Sequence, residues 1–145
     1  MKTKIYKFDP VLYPFPILVC KYIPGVTATE ISDNFLAVID RNTLQKFDKD
    51  ELVANPTLIA KTICVVEKES NQMYYLVILY QPKKILCGVV SHESLHVVTM
   101  IGDWLGINPP TVTNDKPHAY LLQWVANCIW SVLKGHPDDM DGELL

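Results

Sequence analysis

The stretch "KTICVVEKESNQMYYLVILY", residues 61–80, predicts the fold class of this chain. Two runs rich in β-branched and aromatic residues, "KTICVVEK" and "MYYLVILY", are separated by the polar tetrapeptide "ESNQ". Runs of this kind favour strands, and the short polar break between them indicates an antiparallel hairpin. Pro82 ends the second strand because proline cannot donate to a sheet ladder. The centre of the chain is therefore predicted to be a β-sheet.

Shorter elements are predicted before this hairpin. The runs "KIYKF" (4–8) and "PILVCKY" (16–22) have the composition of short strands. Thr27 and Glu30 have the spacing of a capping box, which predicts a short helix that runs towards Phe35. The region 40–55 mixes charged and apolar residues, and we interpret it as helical turns or loop.

Two helices are predicted after the hairpin. The first covers about 88–105 and stops at Gly106, since glycine is the favoured residue just past a helix end. The second begins at Pro117, a favoured first-turn residue, and ends at Lys134 and Gly135. The tryptophans lie among apolar neighbours and are interpreted as core residues: Trp104, Trp124 and Trp130.

The order of these elements predicts an α+β fold, in which a mostly antiparallel sheet carries the two C-terminal helices on one face. With 145 residues, of which 49% are apolar and 20% charged, the chain fits a single globular domain, residues 1–145. The final segment "HPDDMDGELL", residues 136–145, is predicted to form a mobile acidic tail.

The charge balance gives no reason to expect a nucleic-acid or membrane partner. The formal net charge is −3, so no excess of basic residues would attract phosphates or anionic lipids. Asp9 and several prolines interrupt the apolar N-terminal run, which argues against a signal peptide and for a cytoplasmic protein. The four scattered cysteines are predicted to be buried free thiols: Cys20, Cys64, Cys87 and Cys128.

The first C-terminal helix contains the pattern His-Glu-x-x-His at residues 92–96. His92 and His96 are four residues apart and therefore share a helix face, within reach of one zinc ion at about 2.0–2.1 Å per bond. Glu93 is rotated by about 100° from His92, from where it could take a proton from a metal-bound water. The spacing predicts two zinc ligands and a general base. The competing interpretation is a pair of surface histidines beside a solvated glutamate.

A catalytic zinc normally takes three protein ligands and a water. Asp103 shares a face with His96 but lies about 10.5 Å further along the helix axis, which is too far to bind the same ion. We therefore expect the third ligand to come from the second helix or from the loop that precedes it.

The stretches "VVSHESLHVVTMIGDWLGI" (89–107) and "NDKPHAYLLQWVANCI" (114–129) resemble small phage- and prophage-type zincin-like proteins of the minimal gluzincin kind. The similarity is best over residues 60–133. In that group a Glu-Pro-x-Ala-Tyr-Leu stretch opens the last helix, and its glutamate is taken as the third zinc ligand. Here Lys116 stands at the position of that glutamate, and a protonated ammonium group cannot coordinate zinc.

Three outcomes follow from this departure. His118 could replace the missing ligand, although it also fits a histidine at the edge of the core. Asp115 is the second candidate, with helix capping as its structural alternative. The third outcome is a degenerate site, in which Lys116 lowers metal affinity by repulsion.

Two further features follow from the resemblance. Tyr120 lies one helical turn beyond Lys116, where its hydroxyl could stabilise an oxyanion, while a buried tyrosine is the structural alternative. In zincins an edge strand beside the active helix pairs with an extended substrate, and by this analogy a peptide would pair with "MYYLVILY" if that strand is the sheet edge.

These patterns predict a cytoplasmic zinc metallopeptidase with Zn²⁺ as its cofactor and peptides or proteins as its substrates. His92, His96 and His118 would hold the metal, and Glu93 would act as the general base. The alternative is a catalytically inactive zincin-fold protein, with an interaction or regulatory role and a degenerate metal site. The sequence does not fix an oligomeric state.

Overall fold

The computed structural model describes residues 1–41 and 43–145, and over these residues the fold is α+β. The strands are β1 Ile5–Phe8, β2 Ile17–Lys21, β3 Phe35–Asp40, β4 Thr43–Lys46, β5 Ala60–Glu67, β6 Met73–Leu79 and β7 Glu143–Leu144. The helices are α1 Thr27–Asn34, α2 Lys49–Leu52, α3 Cys87–Leu105 and α4 Lys116–Leu133.

The described strands form one mixed sheet in the order β4-β3-β5-β6-β2-β1-β7. The predicted hairpin is confirmed, because β5 and β6 pair antiparallel with Thr62 opposite Val77 and Cys64 opposite Tyr75. The prediction of a mostly antiparallel sheet is also confirmed. The exception is the parallel pair of β2 with β6, which are joined by a long crossover that contains the intervening elements.

Strand β6 is buried at every position, because helices cover both faces of the sheet at this point. Successive side chains of a strand point to opposite faces, so β6 contributes to two hydrophobic cores. Helices α3 and α4 cover one face, as expected, and α1 and α2 cover the other. The residues of β6 in the α3/α4 core are Tyr75, Val77 and Leu79, and those in the α1/α2 core are Tyr74, Leu76 and Ile78.

Two N-terminal predictions need correction. The region 40–55 contains an expected helical turn, α2, but it also contains the strand β4, which was not predicted. Helix α1 forms where expected, but its capping box does not. The Glu30 carboxylate accepts a hydrogen bond from the Thr3 amide at 3.1 Å, and the Thr27 hydroxyl accepts one from the Ile23 amide at 2.7 Å. The Glu30 side chain is therefore bound to the N-terminal segment, and the Thr27 hydroxyl is bound to the residue four positions before it.

The segment 136–145 is placed in the fold rather than as the expected mobile tail. Residues Pro137–Met140 form a 3₁₀ turn, and β7 pairs antiparallel with β1 so that Leu144 lies opposite Tyr6. Gly142 packs against the Phe8 ring so closely that a Cβ atom would lie 2.7 Å from it. The acidic composition of this segment is therefore compatible with an edge position in the sheet.

Helices α3 and α4 have nearly the predicted bounds. Gly106 ends α3 with a left-handed φ of 69°, and the Ile107 amide donates to the Gly102 carbonyl at 2.9 Å. Trp130 is 46% exposed, so its assignment to the core was wrong. In the part of the chain that is described, no helix is both long and apolar enough to cross a membrane.

Candidate functional site

The two histidines of the His-Glu-x-x-His pattern lie together on the exposed side of α3. Their Nε2 atoms are 3.1 Å apart, and the ring planes are inclined at 81°. Two nitrogens at this separation, each about 2.05 Å from a shared ion, would subtend about 100° at that ion, which is close to a tetrahedral angle. The distance between the two nitrogens is thus compatible with a shared divalent ion such as zinc, and it is also that of a hydrogen bond between the two rings.

Glu93 lies on a different side of the helix from this pair. Its side chain is only 5% exposed, and its Oε2 atom accepts a hydrogen bond of 2.6 Å from the Thr62 hydroxyl on β5. The carboxyl group is thus held in the interface between α3 and the sheet. Its position is that of a buried polar group satisfied by a neighbouring strand.

The rotation of α3 about its axis explains this division. Val90, Val97 and Ile101 are buried, and they recur at the spacing of one helix face. Glu93 lies close to this face and is carried towards the sheet with it. His92 and His96 lie outside the buried arc and face solvent.

His118 lies elsewhere. It is half-buried in the first turn of α4 and lines a cavity of about 310 Å³ together with Val98, Ile101 and Leu121. Val98 is two residues beyond His96, so the two side chains leave α3 about 200° apart. Ile101 is nine residues beyond His92, or about 14 Å along the axis. The cavity that His118 lines is therefore on another side of α3 from the histidine pair.

The other candidates for a third ligand are also separate from the pair. Among residues 1–41 and 43–145, no group of three or more His, Cys, Asp or Glu side chains is placed to hold a metal ion. Asp115 occupies the N-cap position of α4 but forms no side-chain capping bond; its carbonyl accepts from the Ala119 amide at 2.8 Å. The residues present thus fit a two-histidine chelate and do not fit a three-ligand catalytic zinc site.

One expectation drawn from zincins and one structural alternative need correction. The strand "MYYLVILY" is β6, which lies between β5 and β2 and so has no edge available for a peptide. The described sheet ends instead at β4 and β7. Tyr120 is 68% exposed, so it is not the buried tyrosine that we gave as its structural alternative.

The four cysteines are free thiols, as predicted, but the prediction that all of them are buried is wrong for Cys87. Cys20 and Cys128 are buried, and Cys64 is half-buried, whereas Cys87 is exposed at the start of α3. Burial raises the pKa of Cys64 to about 11 and that of Cys128 to about 12. These two side chains are consequently neutral thiols at neutral pH.

Thr62 is the contact residue that the sequence did not identify. Alternation along β5 places Thr62 and Cys64 on one face of the strand. That alternation does not show which face lies under α3, because the hairpin has apolar residues on both sides. The hydrogen bond to Glu93 could be found only from the three-dimensional structure.

No family model, curated protein or solved structure gives a significant match to this chain. The resemblance to zincin-like proteins therefore rests on the residue pattern described above.

Proposed function

We propose that this chain is a catalytically inactive interaction or regulatory protein with a degenerate, two-histidine metal site on a zincin-like fold. One observation carries the proposal: Thr62 holds the Glu93 carboxyl group in the helix–sheet interface while His92 and His96 face solvent. The carboxyl group of the His-Glu-x-x-His motif thus lies in the packed interior, whereas its two imidazole rings face solvent.

A general base must lie within hydrogen-bonding distance of the proton that it removes, either directly or through one water. Glu93 is buried, and its Oε2 atom accepts a short hydrogen bond from the Thr62 hydroxyl on β5. Turning the carboxyl group towards the histidines would break this bond and leave the Thr62 hydroxyl without its acceptor. The local packing thus opposes catalysis by Glu93.

The histidine pair keeps the capacity to bind a metal. Two imidazoles at i and i+4 suit zinc and related transition ions, and water can complete the coordination. With two protein ligands, an exposed chelate of this kind binds metal reversibly. Such binding suits a regulatory or assembly role better than it suits a resident catalytic ion.

A zinc metallopeptidase acting on peptides or proteins is the second candidate function. The observation that favours it is the 3.1 Å separation of the Nε2 atoms, which suits a shared zinc ion. In the sequence interpretation, bound zinc would activate water for attack on a peptide bond, with Glu93 as the base. This candidate additionally requires a third ligand, such as His118, to move to the pair.

A hydrolysis assay on zinc-supplemented protein separates the two candidates. We expect no cleavage of casein above the background seen with Glu93→Gln, because the carboxyl group does not face the metal position. Zinc-dependent cleavage by the wild type that is lost in Glu93→Gln and restored by neither zinc nor cobalt would instead establish the peptidase.

We further propose that the protein works in the cytoplasm. The support is the presence of four cysteines without a disulfide, since free thiols persist in reducing compartments. A fluorescent fusion found outside the cytoplasm would refute this assignment.

A further inference from the structure

His92 points away from the sheet. Ile101 is 2% exposed and belongs to the core that α3 forms with α4 and the sheet. It is nine residues beyond His92, which places the two side chains about 180° apart around the helix. His96 leaves α3 about 40° from His92, and both imidazole rings are exposed. The outermost side of α3 thus presents both rings to any molecule that docks there.

The exposed side of α3 around this pair carries no charged residue. Asp, Glu, Lys and Arg make up 20% of the chain, yet none of them is among the exposed residues between 88 and 99. Those residues, which we call the α3 face, are Gly88, Ser91, His92, Leu95, His96 and Thr99. Leu95 is the one large apolar side chain of the α3 face and is 50% exposed. Protein interfaces are depleted in charged residues at their centre, so this composition suits a contact surface.

The α3 face holds half of the ligands that a closed zinc site requires. Structural zinc is bound tetrahedrally by four protein ligands, whereas the histidine pair supplies two. In the part of the chain that is described, no third His, Cys, Asp or Glu side chain joins them. A second identical pair would complete the site with four imidazoles. The missing ligands can therefore come from another copy of the same face.

We propose that a zinc ion links two copies of this chain, bound by His92 and His96 of both, with the two α3 faces opposed across a two-fold axis. The inference rests on the metal site proposed above and adds its partner, which is a second copy of the chain. A two-fold axis brings the same surface of each copy against itself, and it is the commonest symmetry of soluble oligomers. Each histidine pair thereby meets a pair with the same chemistry and spacing.

The charges of the chain make the ion necessary for this contact. Each copy has a formal net charge of −3, so two copies repel each other, and the uncharged α3 face offers no ion pairs to oppose this repulsion. Leu95 alone removes little apolar surface from water at the contact. A dication between the two faces supplies both the bonds and the opposite charge. The dimer should therefore form with zinc and dissociate when zinc is removed.

Analytical ultracentrifugation of the full chain, purified without a metal-affinity tag, tests the proposal. The mass of the protein is measured in EDTA and with zinc chloride at one ion for every two chains, and elemental analysis gives the zinc content of each species. His96→Ala removes one of the two ligands from an exposed position, where the fold does not depend on it. His136→Ala is the matched control, because His136 is an exposed histidine outside α3.

We expect the wild type to be a monomer in EDTA and a dimer with zinc, and the dimer to contain one zinc ion for every two chains. His96→Ala should remain a monomer at the same zinc concentration, because two copies of it bring together only two imidazoles. His136→Ala should dimerise as the wild type does.

A wild-type monomer that carries zinc would overturn the shared site, while the two-histidine metal site of the proposed function would stand. A dimer that persists in EDTA, or a zinc-dependent dimer of His96→Ala, would also overturn it, because the contact would then not depend on four imidazoles and an ion. Absence of zinc from the wild type would refute the shared site and the proposed metal site together. The elemental analysis thus distinguishes the failure of this inference from the failure of the proposed function.

Discussion

The proposed loss of catalysis rests, among single residues, on the contact between Thr62 and Glu93. A buried carboxyl group that accepts a hydrogen bond from a strand is part of the packing between helix and sheet. The histidines one residue before it and three residues after it are exposed. A motif defined by spacing alone thus contains residues with different structural roles.

Thr62→Val tests the structural role of this contact. Valine keeps the branched shape and removes the donor, which leaves the buried Glu93 oxygen unsatisfied. We expect the free energy of unfolding to fall by about 1.5–3 kcal/mol, as for lost hydrogen bonds to charged groups. Denaturant unfolding measures the change. Thr62→Ser is the control and should lose less; equal stability of wild type and Thr62→Val would show that the bond contributes nothing.

Because of the buried thiols, the free energy of unfolding should depend on pH in the alkaline range. Burial raises the pKa of Cys20 and of Cys128 from 9.0 to about 12, with Glu30 adding to the shift at Cys20. Since the unfolded chain loses these protons near pH 9, it binds fewer protons than the folded chain above that pH. The free energy of unfolding should therefore be unaffected by these groups below pH 9 and decrease between pH 9 and 12.

Denaturant unfolding at pH 8 and pH 10.5 measures this effect. The variant Cys20→Ala with Cys128→Ala should lose part of the decrease, because two of the shifted groups are gone. A wild-type stability that rises over this interval would contradict the assignment. Thiol reagents provide a second test at pH 8, where exposed Cys87 should react first.

Helix α3 is the element that decides the arrangement of the candidate site. Its position could be predicted from the sequence, because the preceding hairpin and the glycine at its end are local signals. The rotation of α3 about its own axis could not be predicted. Leu95 is 50% exposed and Leu105 43% exposed, so apolar residues occur around the whole helix and obscure the face that packs on the sheet.

The same limit applies to the N-terminal half. The hairpin was predictable because each strand carries a continuous β-branched and aromatic run. Strands β3 and β4 could not be predicted in the same way. The sequence of β3, "FLAVID", directly follows a predicted helix, and that of β4, "TLQK", is exposed at every position. Pairing of β2 with β6 is non-local and leaves no signal in either segment. His118 was likewise a choice by sequence proximity, before the face used by α4 was known.

Two glycines near the end of α3 form a matched pair for testing its termination. Gly106 has a φ of 69°, a conformation in which alanine is strained, whereas Gly102 lies within the helix, where an added Cβ atom would meet open space. We expect Gly106→Ala to lower the free energy of unfolding by about 1–2 kcal/mol. Gly102→Ala should raise it by about 0.5–1 kcal/mol. Destabilisation by both substitutions in denaturant unfolding would contradict this account of the helix end.

At the scale of the whole molecule, stability is concentrated in the centre of the sheet. Strand β6 is hydrogen-bonded to neighbours on both sides and is buried at every position, while β4 has one neighbour in the described sheet and is exposed throughout. The helices on both faces bury the same central strands.

Native-state amide hydrogen exchange tests this distribution. We expect the slowest exchange in β6, with protection close to the free energy of global unfolding, and the fastest strand exchange in β4. Intermediate protection is expected in β1, which β7 covers at its outer edge. Exchange from β6 as fast as that from β4 would contradict the described order of strands.

We propose that any metal held by this protein is bound by His92 and His96, without a ligand from α4. The first measurement is zinc binding by equilibrium dialysis. It is combined with elemental analysis of protein that is purified without a metal-affinity tag. We expect reversible zinc binding that His92→Ala abolishes and His118→Ala leaves unchanged. One tightly held zinc per chain that is lost in both variants would contradict it and restore the three-histidine peptidase site.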